Sequence, residues 1–119
     1  MKLKPALDRI AARYGISELD MPALKARIKQ LQRMGWPYGA NTGRGSSDTW
    51  DERKLRDVIL VSDLRHLGIT AQPAIEIVKA NYDELVKAYE SKECCIITPE
   101  PPSGKPVRSH IVLDFTDLP

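Results

Sequence analysis

The sequence predicts a mainly α-helical domain in the order helix, helix, β-hairpin, helix, helix, closed by a short β-like extension. Three observations predict it. Apolar residues recur at helical spacing in four stretches, glycines stand where those stretches stop, and a Gly-rich run between two tryptophans interrupts them. Residues 1–91 are expected to form the main domain and residues 92–119 an appendage, because 119 residues suffice for one core but hardly for two.

Leu7, Ile10, Ala11 and Tyr14 share one helical face after Pro5, so a helix over residues 5–14 is expected, ended by Gly15. Asp20 is positioned to cap a second helix with Pro22 in its first turn. Leu24, Ile28 and Leu31 form the buried stripe of that helix, which ends at Gly35. Between Trp36 and Trp50 the composition turns to Gly, Ala, Asn, Thr, Arg and Ser, the pattern of a hairpin with aromatic ends.

Asp51 can cap a third helix, with Glu52 at its positive end. Its core face is expected to carry Leu55, Val58, Ile59, Ser62 and Leu67 as far as Gly68. A fourth helix from Thr70 or Gln72 places Ile75, Val78, Tyr82, Leu85, Val86 and Tyr89 on one side. Beyond Glu90 come two strand-like runs, Cys94 to Thr98 and His110 to Phe115, separated by a Pro-rich stretch.

Composition narrows the function classes. Apolar residues make up 42% and charged residues 29% of the chain, ordinary values for a globular domain, and no apolar stretch reaches a bilayer's thickness. The opening Met1-Lys2-Leu3-Lys4-Pro5 runs into Asp8 and Arg9 instead of an apolar segment, so no signal peptide is expected and the cytoplasm is the expected address. Cys94 and Cys95 are adjacent, a spacing that strains a disulfide and suits a reducing compartment. Burial of one of them for structural reasons is expected, with no metal and no cofactor. His66 and His110 lack an acid or nucleophile partner in the sequence, and no Walker, zinc-protease or hydrolase motif is present, so an enzyme is not expected.

Charge is uneven. Net charge is +2, but residues 1–50 carry nine Lys/Arg against four Asp/Glu. On the second helix Lys25, Lys29 and Arg33 follow one another at spacings of four, flanked by Arg27 and Gln32 and opposite the apolar stripe. Two short helices around a glycine turn, the second basic on its outer face, have the form of a helix-turn-helix. A basic face of this kind offers charges for phosphates and long donors for base edges, although a solvated helix surface has the same composition.

The segments Ala11-Ala-Arg-Tyr-Gly15, Leu24-Lys-Ala-Arg27, Arg33-Met-Gly35-Trp36-Pro37, Trp50-Asp51-Glu52 and Leu64-Arg-His-Leu67-Gly68-Ile69-Thr70 resemble, in order and spacing, the DNA-binding domain of the MerR family over residues 5–90. The resemblance implies a winged helix-turn-helix and a transcriptional regulator that binds double-stranded DNA in a sequence-specific way. It further implies DNA contacts from Arg27 on the recognition helix and Arg44 at the wing tip, where Gly43 and Gly45 flank the arginine. The expected interface is therefore Lys25, Arg27, Lys29, Gln32, Arg33 and Arg44.

Two other readings share these features: an excisionase-like architectural factor that bends DNA, and an antagonist whose basic helix meets an acidic protein. The long dimerisation helix usual in the family is replaced after Glu90 by strand-like sequence. Ile111, Leu113 and Phe115 alternate with Val112 and Asp114 there. An isolated hairpin is marginal in water, so the tail is expected to mediate self-association as a possible homodimer contact or to dock on the helices.

Overall fold

The computed structural model describes residues 2–36, 50–97 and 111–118. Among the described residues the chain is mainly helical, with five α-helices and one two-stranded antiparallel sheet: α1 (Leu3–Tyr14), α2 (Met21–Arg33), α3 (Glu52–His66), α4 (Ala71–Ala80), α5 (Tyr82–Ser91), β1 (Cys94–Ile97) and β2 (Ile111–Asp114). The hairpin expected between Trp36 and Trp50, with Arg44 at its tip, lies outside the described residues apart from its two tryptophan ends. Two compact units are present, residues 1–59 and 60–119, and their boundary falls inside the continuous helix α3.

In the first unit α1 packs on α2. Ala6, Leu7, Ile10 and Ala11 of α1 and Leu24, Ile28 and Leu31 of α2 are buried. Gly15 lets the chain leave α1 abruptly: at φ 64° it occupies the left-handed region, and the Ile16 amide turns back to the Ala11 carbonyl at 2.9 Å. The same six-to-one bond closes α2, from the Trp36 amide to the Leu31 carbonyl at 2.9 Å. Trp36 is thereby delivered into the core, where its indole N–H donates to the Asp57 carbonyl at 2.8 Å. The Tyr14 hydroxyl donates to the Ile59 carbonyl at 3.2 Å, so the ends of α1 and α2 are both tied to the first half of α3.

Asp20 does not cap α2 with its side chain. Glu18–Asp20 form a 3₁₀ turn that runs directly into the helix, and the Asp20 carboxylate accepts instead from the Ser17 hydroxyl at 3.2 Å. Asp51 does cap α3. Its Oδ1 accepts the Lys54 amide at 2.8 Å, and this bond holds the carboxyl below the ordinary carboxylate range, helped by the nearby Lys54 charge and opposed by partial desolvation. Because the folded value lies below the unfolded one, the cap stabilises the protein above pH ~3.9 and is lost as pH falls through the folded value. Asp51→Ala is expected to cost about 1 kcal/mol at neutral pH in chemical denaturation. The gap to wild type is expected to narrow below pH ~4.

The expected single apolar face of α3 needs correction. Every residue from Leu55 to Val61 is buried, as are Asp63 and Leu64, whereas Leu67 is 58% exposed. Over the turns from Leu55 to Val61 the helix is covered on every side, and such a stretch has no one-sided stripe for periodicity to detect. Arg56 and Asp57 are buried within it and form an ion pair at 3.2 Å, which supplies a charged partner for each group removed from water.

In the second unit the expected fourth helix is two helices, α4 and α5, which meet at Asn81. Asn81 leaves helical geometry at φ −119° and ψ 23°, and its side-chain amide donates to the Ile77 carbonyl at 2.9 Å. The same Ile77 carbonyl accepts the Asn81 backbone amide at 3.1 Å, so the side chain adds a second local bond at the end of α4, a contact for which asparagine is suited. α5 ends at Lys92 in the left-handed region (φ 54°), a conformation most residues avoid.

β1 and β2 then pair with Cys94 opposite Asp114, Cys95 opposite Leu113, Ile96 opposite Val112 and Ile97 opposite Ile111. Cys95, Ile97, Leu113 and Phe115 are buried, while Ile96 and Val112 face outward. The sheet packs on α5, and Phe115 meets Tyr89 edge-on with ring centroids 5.5 Å apart. The apolar face of the tail is therefore used within its own unit.

Candidate functional site

The basic stripe occupies α2, which is presented by its packing on α1. At about 100° per residue, Lys25, Lys29 and Arg33 fall within an arc of about 80°, and Gln32 lies about 20° beyond Lys25. Leu24, Ile28 and Leu31 point into the core. Lys25, Lys29 and Arg33 are exposed and Gln32 is half-buried, so the stripe is a row of cations with one amide at its edge. None of the three cations forms an ion pair with the described residues.

Arg27 is exposed too, but its helical angle places it about 120° from Arg33, on the opposite flank of the apolar stripe. A single flat surface touching the middle of the stripe does not also engage Arg27. Arg44, the sixth expected contact, lies outside the described residues.

The structure brings together residues that sequence spacing leaves apart. Lys2 and Lys4, at the start of α1, line the same groove as Lys25 near the start of α2. The only signal in the sequence is the Lys2-Leu-Lys4 alternation, which says nothing about α2 until the two helices pack. Charge follows the same division: residues 1–59 hold twelve Lys/Arg against seven Asp/Glu, and residues 60–119 hold six against nine.

The cysteines do different things. Cys95 is buried, and burial together with the nearby Glu84 charge raises its thiol pKa. Cys94 is exposed, and its pKa is also raised, by local desolvation and then by its hydrogen bond to Asp114 and that group's charge. Raised values keep both thiols protonated and poorly nucleophilic at neutral pH. Among the described residues no group of three or more His, Cys, Asp or Glu side chains is placed to hold a metal ion, and no helix is long and apolar enough to cross a membrane. Compared with protein-family models, curated proteins and solved structures, the chain matches none of them.

Proposed function

We propose that the chain is a sequence-specific double-stranded DNA-binding regulator, a winged helix-turn-helix of MerR-like type that acts by binding and not by catalysis. The observation that carries this reading is the exposed stripe Lys25, Lys29 and Arg33 on the second of two packed helices, which are joined through Gly15 and the 3₁₀ turn Glu18–Asp20. α2 is the reading helix. Its cations neutralise phosphates on either side of a major groove about 12 Å wide, and Gln32 is the residue suited to an adenine edge. The helix is about 20 Å long at about 1.5 Å per residue, enough to lie along the groove over a few base pairs.

Arg44, between Gly43 and Gly45, is the proposed contact from the wing. An arginine flanked by glycines suits close approach to a phosphate or a narrow minor groove. Arg27, on its separate flank, contacts the backbone of one strand. The more basic composition of residues 1–59 supports placing the duplex on this unit.

Selection of bound sequences from a random duplex pool tests the reading. A defined motif that binds with steep salt dependence is the expected result, and the symmetry of that motif reports whether one copy or two engage the site. Recovery of no enriched sequence together with no retardation of any duplex at low salt overturns it.

A further inference from the structure

Beside the stripe, a groove of about 910 Å³ runs between the first two turns of α1 and the start of α2. From α1 it is lined by Leu3, Lys4 and Leu7, and from α2 by Met21, Pro22 and Lys25. Leu7 is buried and Leu3 and Met21 are half-buried, so its floor is apolar. Its rim is charged: Lys2, Lys4 and Lys25 are exposed there, and so are Asp8 and Glu18.

Three features select an occupant. The rim residues are all exposed, so the groove is an open trough, whereas a small molecule is held by burial of roughly 70–90% of its surface. An amphipathic helix needs only one face covered, and the furrow between two packed helices accepts a third through apolar anchors at successive turns. The rim carries three ammoniums against two carboxylates. A duplex, negative along its whole contour, meets Asp8 and Glu18 as like charges, while a helix can set its carboxylates opposite the lysines and its apolar side chains over the floor.

We propose that this groove docks the apolar face of a short, acidic amphipathic helix from a partner protein, and that docking covers Lys25 and so competes with duplex DNA. The competition rests on the DNA-binding reading of α2; the docking does not. Lys25 then belongs to two surfaces at once, which makes partner and duplex alternatives.

The probe is a fluorescein-labelled amphipathic peptide of about four helical turns, leucines on one face and glutamates along its flanks, titrated against the full chain by anisotropy. Saturable binding is expected, weakened about ten-fold or more by Met21→Glu and by the pair Lys4→Glu and Lys25→Glu, with circular dichroism confirming that each variant is folded. Lys29→Ala is expected to leave peptide binding within about two-fold while weakening duplex binding. Unlabelled peptide is expected to displace duplex over the concentration range in which it saturates the groove.

Absence of saturable peptide binding overturns the docking, as does binding that ignores Met21→Glu but follows Lys29→Ala, which marks mere charge attraction to the stripe. Binding of decanoate at Leu3 and Met21, seen by NMR without peptide binding, overturns it in favour of a small amphiphile. Peptide and duplex bound together overturn the competition alone. A chain that binds the peptide and no duplex supports the docking and removes the DNA-binding reading.

Discussion

Replacing Lys25, Lys29 and Arg33 together with alanine is expected to reduce duplex affinity by two to three decades at about 0.1 M salt. Each neutralised phosphate releases counterions worth about 0.9 decade of affinity at that salt concentration, and the slope of log affinity against log salt falls by about 2.7 when three contacts go. The helix itself is expected to survive, because the three side chains are exposed and alanine is the best helix former. Far-UV circular dichroism checks this, and anisotropy titrations at several salt concentrations read the slope. Arg27→Ala is the informative comparison: on its separate flank it is expected to cost less than either Lys29→Ala or Arg33→Ala. A triple variant that binds every duplex as wild type does, with an unchanged slope, removes α2 from the interface.

Phe115→Ala is expected to destabilise the second unit by about 3–5 kcal/mol, the range for emptying a fully buried aromatic site. Phe115 is the chain's single phenylalanine, fully buried and edge-on to Tyr89. Its ring fastens the end of β2 to α5, while its amide donates to the carbonyl of Glu93, just before β1, at 3.2 Å and extends the pairing of the two strands. A two-stranded sheet has little stability of its own, and loss of this anchor is expected to release both strands. Urea denaturation followed by far-UV circular dichroism measures the loss, with Phe115→Leu as the milder control. A cost below about 1 kcal/mol means that the sheet is not held by its docking face.

Much of this architecture is written in local chemistry. Gly15, Gly35 and Gly68 mark three helix ends because a positive φ is needed where the chain turns out of each helix. Asp51 announces α3 through its own side chain, and strand alternation separates buried Leu113 and Phe115 from outward Val112. Asn81 is different. The apolar spacing from Ile75 to Tyr89 runs across it without a glycine or proline, so only its observed backbone dihedrals reveal the break.

Burial of residues 55–61 on every side of α3 is equally silent, since it depends on what surrounds that stretch and not on its own period. At the candidate site the row Lys25, Lys29 and Arg33 is readable because one helix carries it. Its separation from Arg27 follows from the helical angle once the bounds of α2 are known. The groove is not readable at all, because Lys4 and Lys25 become neighbours through packing between two helices.

The placement of the two tryptophans gives the molecule a built-in optical label. Trp36 and Trp50 are the chain's only indoles, both are buried, and both belong to the unit of residues 1–59. Intrinsic indole emission therefore reports that unit alone, while backbone dichroism reports every helix in the chain. A thermal melt in which the emission shift and the dichroism coincide means that the two units unfold as one cooperative block. Separated transitions assign the indole-reported one to the unit that carries α1 and α2, and the shift that a bound ligand causes in that transition then identifies the unit it occupies without any added dye.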